Sequence, residues 1–391
     1  MTYCTDNFIL LFLTILSVFF ITPNYVSSIN VVSYGAKPND KFDSTIPFQK
    51  AWFSACKSKD PATIYVPKGS FLLKQVTFKG PCTNNINFQI DGNITAPLDS
   101  SSHGNSGSWI MFRELDGLSI QGGTLNGNGD NYWSCKKAGN CPAGARSISF
   151  SSCKNVKVSG LTSLNSEAAH ITVDHCKDIM FQHLEINAPE TSPNTDGIDV
   201  IFSSDVIVNH STISTGDDCI ALIQGTNNVS IDHITCGPGH GIGIGSLGTS
   251  NDEAGVENVR VMNSIFKGTQ NGVRIKSWAQ PSNEYARDIV FKNLTMDNVQ
   301  NPIIIDQNYC TGSNNCPNKS SGVKISNVSF EQIKGTSATP QAIQLDCSDT
   351  NPCQDIKLHD IHLIYTKGSA TSTCKNANVI TSGVVIPKSC L

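Results

Sequence analysis

Nine short segments of this chain repeat one pattern. In order they are "GLSIQGG" from Gly117, "NVKVSGL" from Asn155, "DIMFQHL" from Asp178, "DVIVNHS" from Asp205, "NVSIDHI" from Asn228, "NVRVMNS" from Asn258, "DIVFKNL" from Asp288, "GVKISNV" from Gly322 and "DIKLHDI" from Asp355. Each opens on Asn, Asp or Gly, then alternates apolar residues with a variable one. The alternation marks short strands, and the opening residues supply bends. From Asn155 onward the starts lie 23, 27, 23, 30, 30, 34 and 33 residues apart. A strand unit recurring at that period is the pattern of a solenoid, and strand-only units predict an all-β chain wound as a β-helix. One helix is predicted, "STIPFQKAWFSACK" from Ser44 to Lys57, capping the N-terminal end and covering an otherwise open strand edge.

In such a solenoid the strands of successive coils stack about 4.8 Å apart. Residues at equivalent points of neighbouring coils therefore form a ladder on one face. Cys153 and Cys176, 23 residues apart, each stand two residues before a strand start. That places them either as a bridge between adjacent coils or as two unpaired buried thiols.

The N-terminus is read separately. "FILLFLTILSVFFI", residues 8 to 21, is apolar apart from Thr14 and Ser17, and small residues follow in "YVSS". Residues 1–28 are thus expected to be a secretory signal peptide, although no Lys or Arg precedes the apolar run, and 29–391 to form one catalytic domain. Without Asp6 of the leader, 31 acidic residues face 28 basic ones, a net charge of −3. That balance argues against nucleic acid or an anionic membrane as partner. Fourteen of the 15 cysteines lie beyond the leader. Several sit close in sequence (Cys135 and Cys141, Cys310 and Cys316, Cys347 and Cys353, Cys374 and Cys390), with no CxxC spacing and no interleaved His. Disulfides in an oxidising compartment are the expectation, not zinc. Six N-x-S/T sequons, at Asn93, Asn209, Asn228, Asn293, Asn318 and Asn327, agree with a secreted glycoprotein.

Four acids then stand out: Asp196 and Asp199 in "SPNTDGIDV", and Asp217 and Asp218 in "STGDDCIAL". His240 follows in "GPGHGIGIGSLG", Arg274 and Lys276 in "NGVRIKSW", and Tyr309 in "DQNYC". The steps of 21, 23, 34 and 35 residues are close to the coil spacings. Charged and aromatic groups thus recur at one point of the repeat and predict a groove along one face. Arg274 and Lys276, two apart on a strand, point to the same side. Asp217 and Asp218 share the groove only if the chain turns there, which Gly216 permits. Crowded carboxylates suit glycosidic hydrolysis, in which one acid carries a proton and another activates water. Like charges raise one pKa and keep a proton in the cluster. The two cations suit a substrate carboxylate.

Together "SPNTDG" at 192–197, "GDDC" at 216–219, "GHG" at 239–241, "RIK" at 274–276 and Tyr309 resemble the polygalacturonases, the pectin-hydrolysing family 28 glycoside hydrolases, in their plant branch. The likeness runs from "VVSYGAKPND" at 31–40 to the final "SCL". It implies a right-handed parallel β-helix that hydrolyses α-1,4-linked galacturonan with inversion and without metal or cofactor. Carried over by position, Asp218 is the general acid, Asp196 and Asp217 hold and activate the water, and His240 tunes the acid's protonation. Asn194, Arg274, Lys276 and Tyr309 contact the sugar or its carboxylate. The resemblance also suggests the disulfides Cys219–Cys236, Cys347–Cys353 and Cys374–Cys390. Two positions depart from the plant pattern: Asp199 stands where His is usual, and Gly243 where Ser is usual. Asp199 is odd-spaced from Asp196 and on that count points away from the groove.

Two other readings share the secreted β-helix. A pectate lyase would use "GDDC" as Ca²⁺ ligands and Arg274 as base, and a carbohydrate-binding or allergen-type β-helix would have no chemistry. The intact acid set and the "GHG" turn favour hydrolysis. The expected protein is a monomer in the extracellular space or cell wall, with pectin or polygalacturonate as substrate and no membrane in its mature form. Endo action is favoured over exo, because no long insertion interrupts the coils around the ladder.

Overall fold

In the computed structural model the repeats wind into a right-handed parallel β-helix. The structure describes residues 27–98, 107–139, 141–249, 254–310 and 316–388. The leader expected over residues 1–28 lies outside these except for Ser27 and Ser28, which pair in the first strand with Ala62 and Thr63. Among the described residues no helix is long and apolar enough to cross a membrane.

The period-2 pattern builds the interior directly. On one wall Ile64, Phe88, Ile120, Val158, Phe181, Val208, Ile231, Val261, Phe291, Phe330 and Leu358 stack in register, coil upon coil. The facing wall is an eleven-stranded sheet. There Val76, Ile110, Ile148, Ile171, Ile198, Ile220, Ile242, Val273, Ile303 and Ile343 form the matching column. All of these side chains are buried. Burying each gives about 1.5–3 kcal/mol, so a one-residue slip of any coil would turn its apolar set outward.

The opening residues of the repeats do what a bend requires. Asn155, Asp178, Asp205, Asn228, Asn258, Asp288 and Asp355 all have φ between +53° and +58°, the left-handed region that Asn and Asp tolerate. Many are tied to the coil beside them; Asn228 Nδ2 donates to Asp205 Oδ1 at 2.6 Å. One repeat start is displaced. Val328, not Val323, pairs with Ile289, so the bend equivalent to Asp288 is Asn327, at φ +51°, and not Gly322. The "GVKI" segment, residues 322–325, instead leads into a long strand, which starts at Lys324 and runs to Ser337.

The capping helix runs Thr45–Cys56. It seats Phe48 against Phe71 and Trp52 against Phe78, and Trp52 Nε1 donates to Lys79 O at 3.2 Å. Cys56 is bonded to Cys82, a pairing that sequence proximity did not suggest. Cys135–Cys141, Cys219–Cys236, Cys310–Cys316 and Cys347–Cys353 are also disulfides. Cys374 is disulfide-bonded, and Cys390 lies outside the described residues. Cys153 and Cys176 are buried free thiols on adjacent coils, so the bridge between them is not formed.

Candidate active site

The site grows from the turns that lead into the eleven-stranded sheet. Ile198, Ile220 and Ile242 are register partners on three consecutive coils. Asp196, Asp218 and His240 each stand two residues before one of them and so occupy one column. Asn271, two residues before Val273, continues it and donates to His240 O at 3.1 Å.

The turns are locked to one another. Thr195 Oγ1 accepts from Gly216 N at 3.0 Å and shares a 2.7 Å hydrogen bond with Ser192 Oγ. A Cβ on Gly216 would sit 1.9 Å from Ser192 O, so only glycine lets the two loops meet. This close approach, not a left-handed bend, is what Gly216 contributes. His240 N donates to Asp217 O at 2.8 Å, and Gly197 N to Asp218 O at 2.9 Å. The chain does turn between Asp217 and Asp218, and each faces a different set of partners.

Asp217 is the better-solvated acid. Its Oδ1 accepts from His240 Nδ1 at 2.8 Å and from Asp218 N at 2.9 Å, and its Oδ2 from Asn194 Nδ2 at 3.3 Å. Burial opposes its charge, but His240 and then Lys276 outweigh burial and hold its pKa below the usual carboxylate range. His240 thus contacts Asp217 and not Asp218. Asp218 is 1% exposed, and both of its oxygens meet a cation: Arg274 Nη2 at 3.1 Å and Lys276 Nζ at 2.7 Å. This double contact works against the cost of burying three charges, while Arg274 Nε is buried without a hydrogen-bond partner among the described residues. Burial and then the neighbouring Asp199, Asp217 and Asp218 push Asp196 well above the ordinary range.

Arg274 and Lys276 both face the groove, from the strand Asn271–Trp278. They form a second column beside the acid turns instead of extending the same one. The Tyr309 ring lies beside both, its centroid 5.5 Å from the Arg274 guanidinium and 5.2 Å from Lys276 Nζ. Asp199 is in the cation column. Its register line runs Thr172, Asp199, Ala221, Gly243, Arg274. It faces the groove, contrary to the parity counted from Asp196, because Asp196 is in a turn and the strand starts only at Ile198. A Cβ on Gly243 would lie 3.0 Å from Asp218 Oδ2, so glycine here leaves the acid uncrowded.

Sequence reasoning missed one element of the rim. The helix Asp130–Ala138 buries Tyr132 and Trp133 against Ala188 and brings Lys136 Nζ to Asn194 Oδ1. Its two buried aromatics were the available signal. Asp217, Asp218 and His240 offer ligand atoms within 4.8 Å of one another, a spacing that suits a metal ion. Arg274 and Lys276 already engage both oxygens of Asp218, so a divalent cation would have to compete with them.

The family model for glycosyl hydrolases family 28 matches residues 56–386. The chain belongs to glycosyl hydrolase family 28. A polygalacturonase of Prunus persica is 48% identical over 384 residues, covering 97% of this chain and 98% of the relative. An exopolygalacturonase of Platanus acerifolia is 43% identical, covering 92% and 97%. The same fold is seen in solved structures. An endo-xylogalacturonan hydrolase from Aspergillus tubingensis superposes with a TM-score of 0.79 at 21% identity, over 91% of this chain and 100% of that one. An exopolygalacturonase from Thermotoga maritima gives 0.74 at 19%, over 91% and 92%.

Proposed function

We propose that this family 28 protein is a polygalacturonase that hydrolyses the α-1,4 links of polygalacturonate with inversion. Asp218 is the general acid. Asp217, kept ionised by His240, takes the proton of the attacking water, and Asp196 holds that water in place. Arg274 and Lys276 bind a galacturonate carboxylate, Tyr309 borders the same sugar, and Asn194 lines the rim. The observation that carries the reading is the pair of contacts from Arg274 and Lys276 to Asp218. It puts an anion-binding fork directly on a buried acid. A substrate carboxylate competes for that fork, and Asp218, released from it, carries the proton to the leaving oxygen.

The names of the near relatives support polygalacturonate as substrate and include an exo-acting enzyme. Endo action remains our reading from the unbroken coils, and secretion to the cell wall our reading of the leader and sequons. The test is product analysis on polygalacturonate with and without a chelator. Hydrolysis yields new reducing ends and no ultraviolet-absorbing unsaturated sugar, and chelation leaves the rate unchanged. Unsaturated products that require Ca²⁺ would replace the reading with a lyase. Mixed long oligomers early in the reaction support endo cleavage; monomer alone would reverse it.

A further inference from the structure

A second column of side chains stands outside the groove, on a bend in the strands of the nineteen-stranded sheet. In coil order it reads Gly160, His183, His210, His233, Asn263 and Asn293, all with φ between +47° and +67°. Gly and Asn are the ordinary occupants of such a bend, and a single histidine there would need no account. Three of the chain's nine histidines in succession do, because nothing in the bend selects an imidazole over an amide.

All three are exposed, and their rings are stacked from coil to coil. His210 and His233 are parallel to within 4°, with centroids 4.8 Å apart, whereas His183 lies 5.4 Å from His210 at 43°. Asp232 fixes one ring. Its Oδ1 accepts from Asn263 Nδ2 at 2.7 Å, and its Oδ2 lies 2.6 Å from His233 Nδ1. Burial opposes the Asp232 charge, but the bonds from His233 and Asn263 outweigh it and hold its pKa below the usual carboxylate range. An ionised carboxylate only accepts. The neutral His233 ring therefore keeps its proton on Nδ1, and the lone pair of Nε2 is left for another partner.

We infer that His210 and His233 are the ligands of a surface site for a divalent transition-metal ion of the copper, nickel or zinc class, and that Asp232 positions His233 for it. Neutral imidazole suits these ions, and copper(II) binds most tightly of the series. A carboxylate on the other ring nitrogen is the usual outer support of a metal-ligating histidine. Bonds of about 2.0–2.1 Å put two ligand nitrogens at most about 4 Å apart. Parallel rings 4.8 Å apart reach that spacing by small tilts of exposed side chains. His183 is turned out of parallel and contributes no ligand. Water completes the shell, and the bound ion ties two adjacent coils together from outside.

The experiment is calorimetric titration of the full folded chain with Cu²⁺ near neutral pH, for wild type, His210→Gln, His233→Gln, Asp232→Asn and His183→Gln. Gln332 holds the equivalent bend of a later coil at φ +54°, so glutamine is compatible with the fold there. Removing either ligand is expected to raise Kd at least about 100-fold, and Asp232→Asn about ten-fold. His183→Gln is expected to leave Kd unchanged. Paramagnetic resonance of the wild type with equimolar Cu²⁺ is expected to show two imidazole nitrogens. Affinity retained in both ligand variants would put the ion elsewhere, the Asp217, Asp218 and His240 cluster included, and overturn the assignment. So would an equal loss in His183→Gln, or a wild-type signal without imidazole nitrogen.

Discussion

Lys276 and Asp218 are 58 residues apart in sequence, and Lys276 Nζ lies 2.7 Å from Asp218 Oδ2. With Arg274 on the other oxygen, the resting acid is held by two cations. An acid in that position cannot donate a proton until a competing anion takes the cations away. Binding of a galacturonate oligomer is therefore expected to be coupled to uptake of about one proton. Calorimetric titration with a short oligogalacturonate, in two buffers of different ionisation heat at pH 6, measures that number. Asp218→Asn is expected to bind without uptake and to lose about 10²–10⁴-fold in turnover. Binding by wild type with no proton change would show that Asp218 stays ionised in the complex and is not the acid.

His240 acts on Asp217, which fixes the sign of its effect on pH dependence. Burial alone would raise the Asp217 pKa, and the His240 hydrogen bond is the first of the influences that lower it. Asp217 must be ionised to accept the proton of water. Removing His240 lets burial prevail, so the acid limb of the rate profile is expected to move to higher pH in His240→Ala. Turnover falls across the range as well. The measurement is reducing-end release against pH. An acid limb that stays in place would take His240 out of the control of Asp217.

Much of this was legible in the chain because a solenoid converts sequence spacing into spatial columns. Ile198, Ile220 and Ile242 are recognisable as strand residues, and Asp196, Asp218 and His240 follow from them by simple offset. Where the reading failed, the offset was counted from the wrong place. Parity counted from Asp196 wrongly turns Asp199 away from the groove, because Asp196 is a turn residue and alternation begins only at Ile198. The bend at Asn327 is hard to read because the apolar alternation occurs on both sides of it, at Val323 and Ile325 and again at Val328 and Phe330. The helix Asp130–Ala138 and the Cys56–Cys82 bond lie outside the repeat, and the repeat says nothing about them. Which cation meets which acid depends on side-chain reach across the coils, which spacing does not encode.

Two buried groups pull stability in opposite directions with pH. His170 is fully buried, with Nδ1 bonded to Ser163 Oγ at 2.8 Å, and burial pushes its pKa down to about 3. The unfolded chain takes up that proton near 6.5, so His170 costs stability as pH falls below about 6.5. Asp199 is raised to about 7 by burial. The unfolded carboxyl ionises near 3.9, so Asp199 costs stability as pH rises from about 4 through 7. Thermal midpoints at pH 4.5 and 7.5 are expected to diverge between variants. His170→Gln gains on wild type at the lower pH, and Asp199→Asn at the higher. The same offset at both pH values in either variant would mean that its effect is packing and not ionisation.

The stereochemical outcome follows from which carboxylate is free. Asp217 and Asp218 are adjacent in the chain and offer oxygens within 4.8 Å of each other, so proximity by itself does not separate a covalent route from a water-mediated one. A nucleophile, however, must be ionised and unencumbered. Both oxygens of Asp217 are engaged, by His240, Asn194 and the Asp218 amide. Asp196 is pushed toward its neutral form by burial and by three neighbouring acids. Asp218 is gripped at rest and carries the proton in turnover. No carboxylate is left to attack the sugar, whereas Asp217 can take a proton from water through an oxygen it already shares. The first product is therefore expected to be the β-anomer, formed by inversion at the α-linked carbon. Proton NMR of the reaction within the first minutes, before mutarotation, reads it directly. Initial release of the α-anomer, or a trapped glycosyl ester on Asp217, would replace the water-activating role with a nucleophilic one.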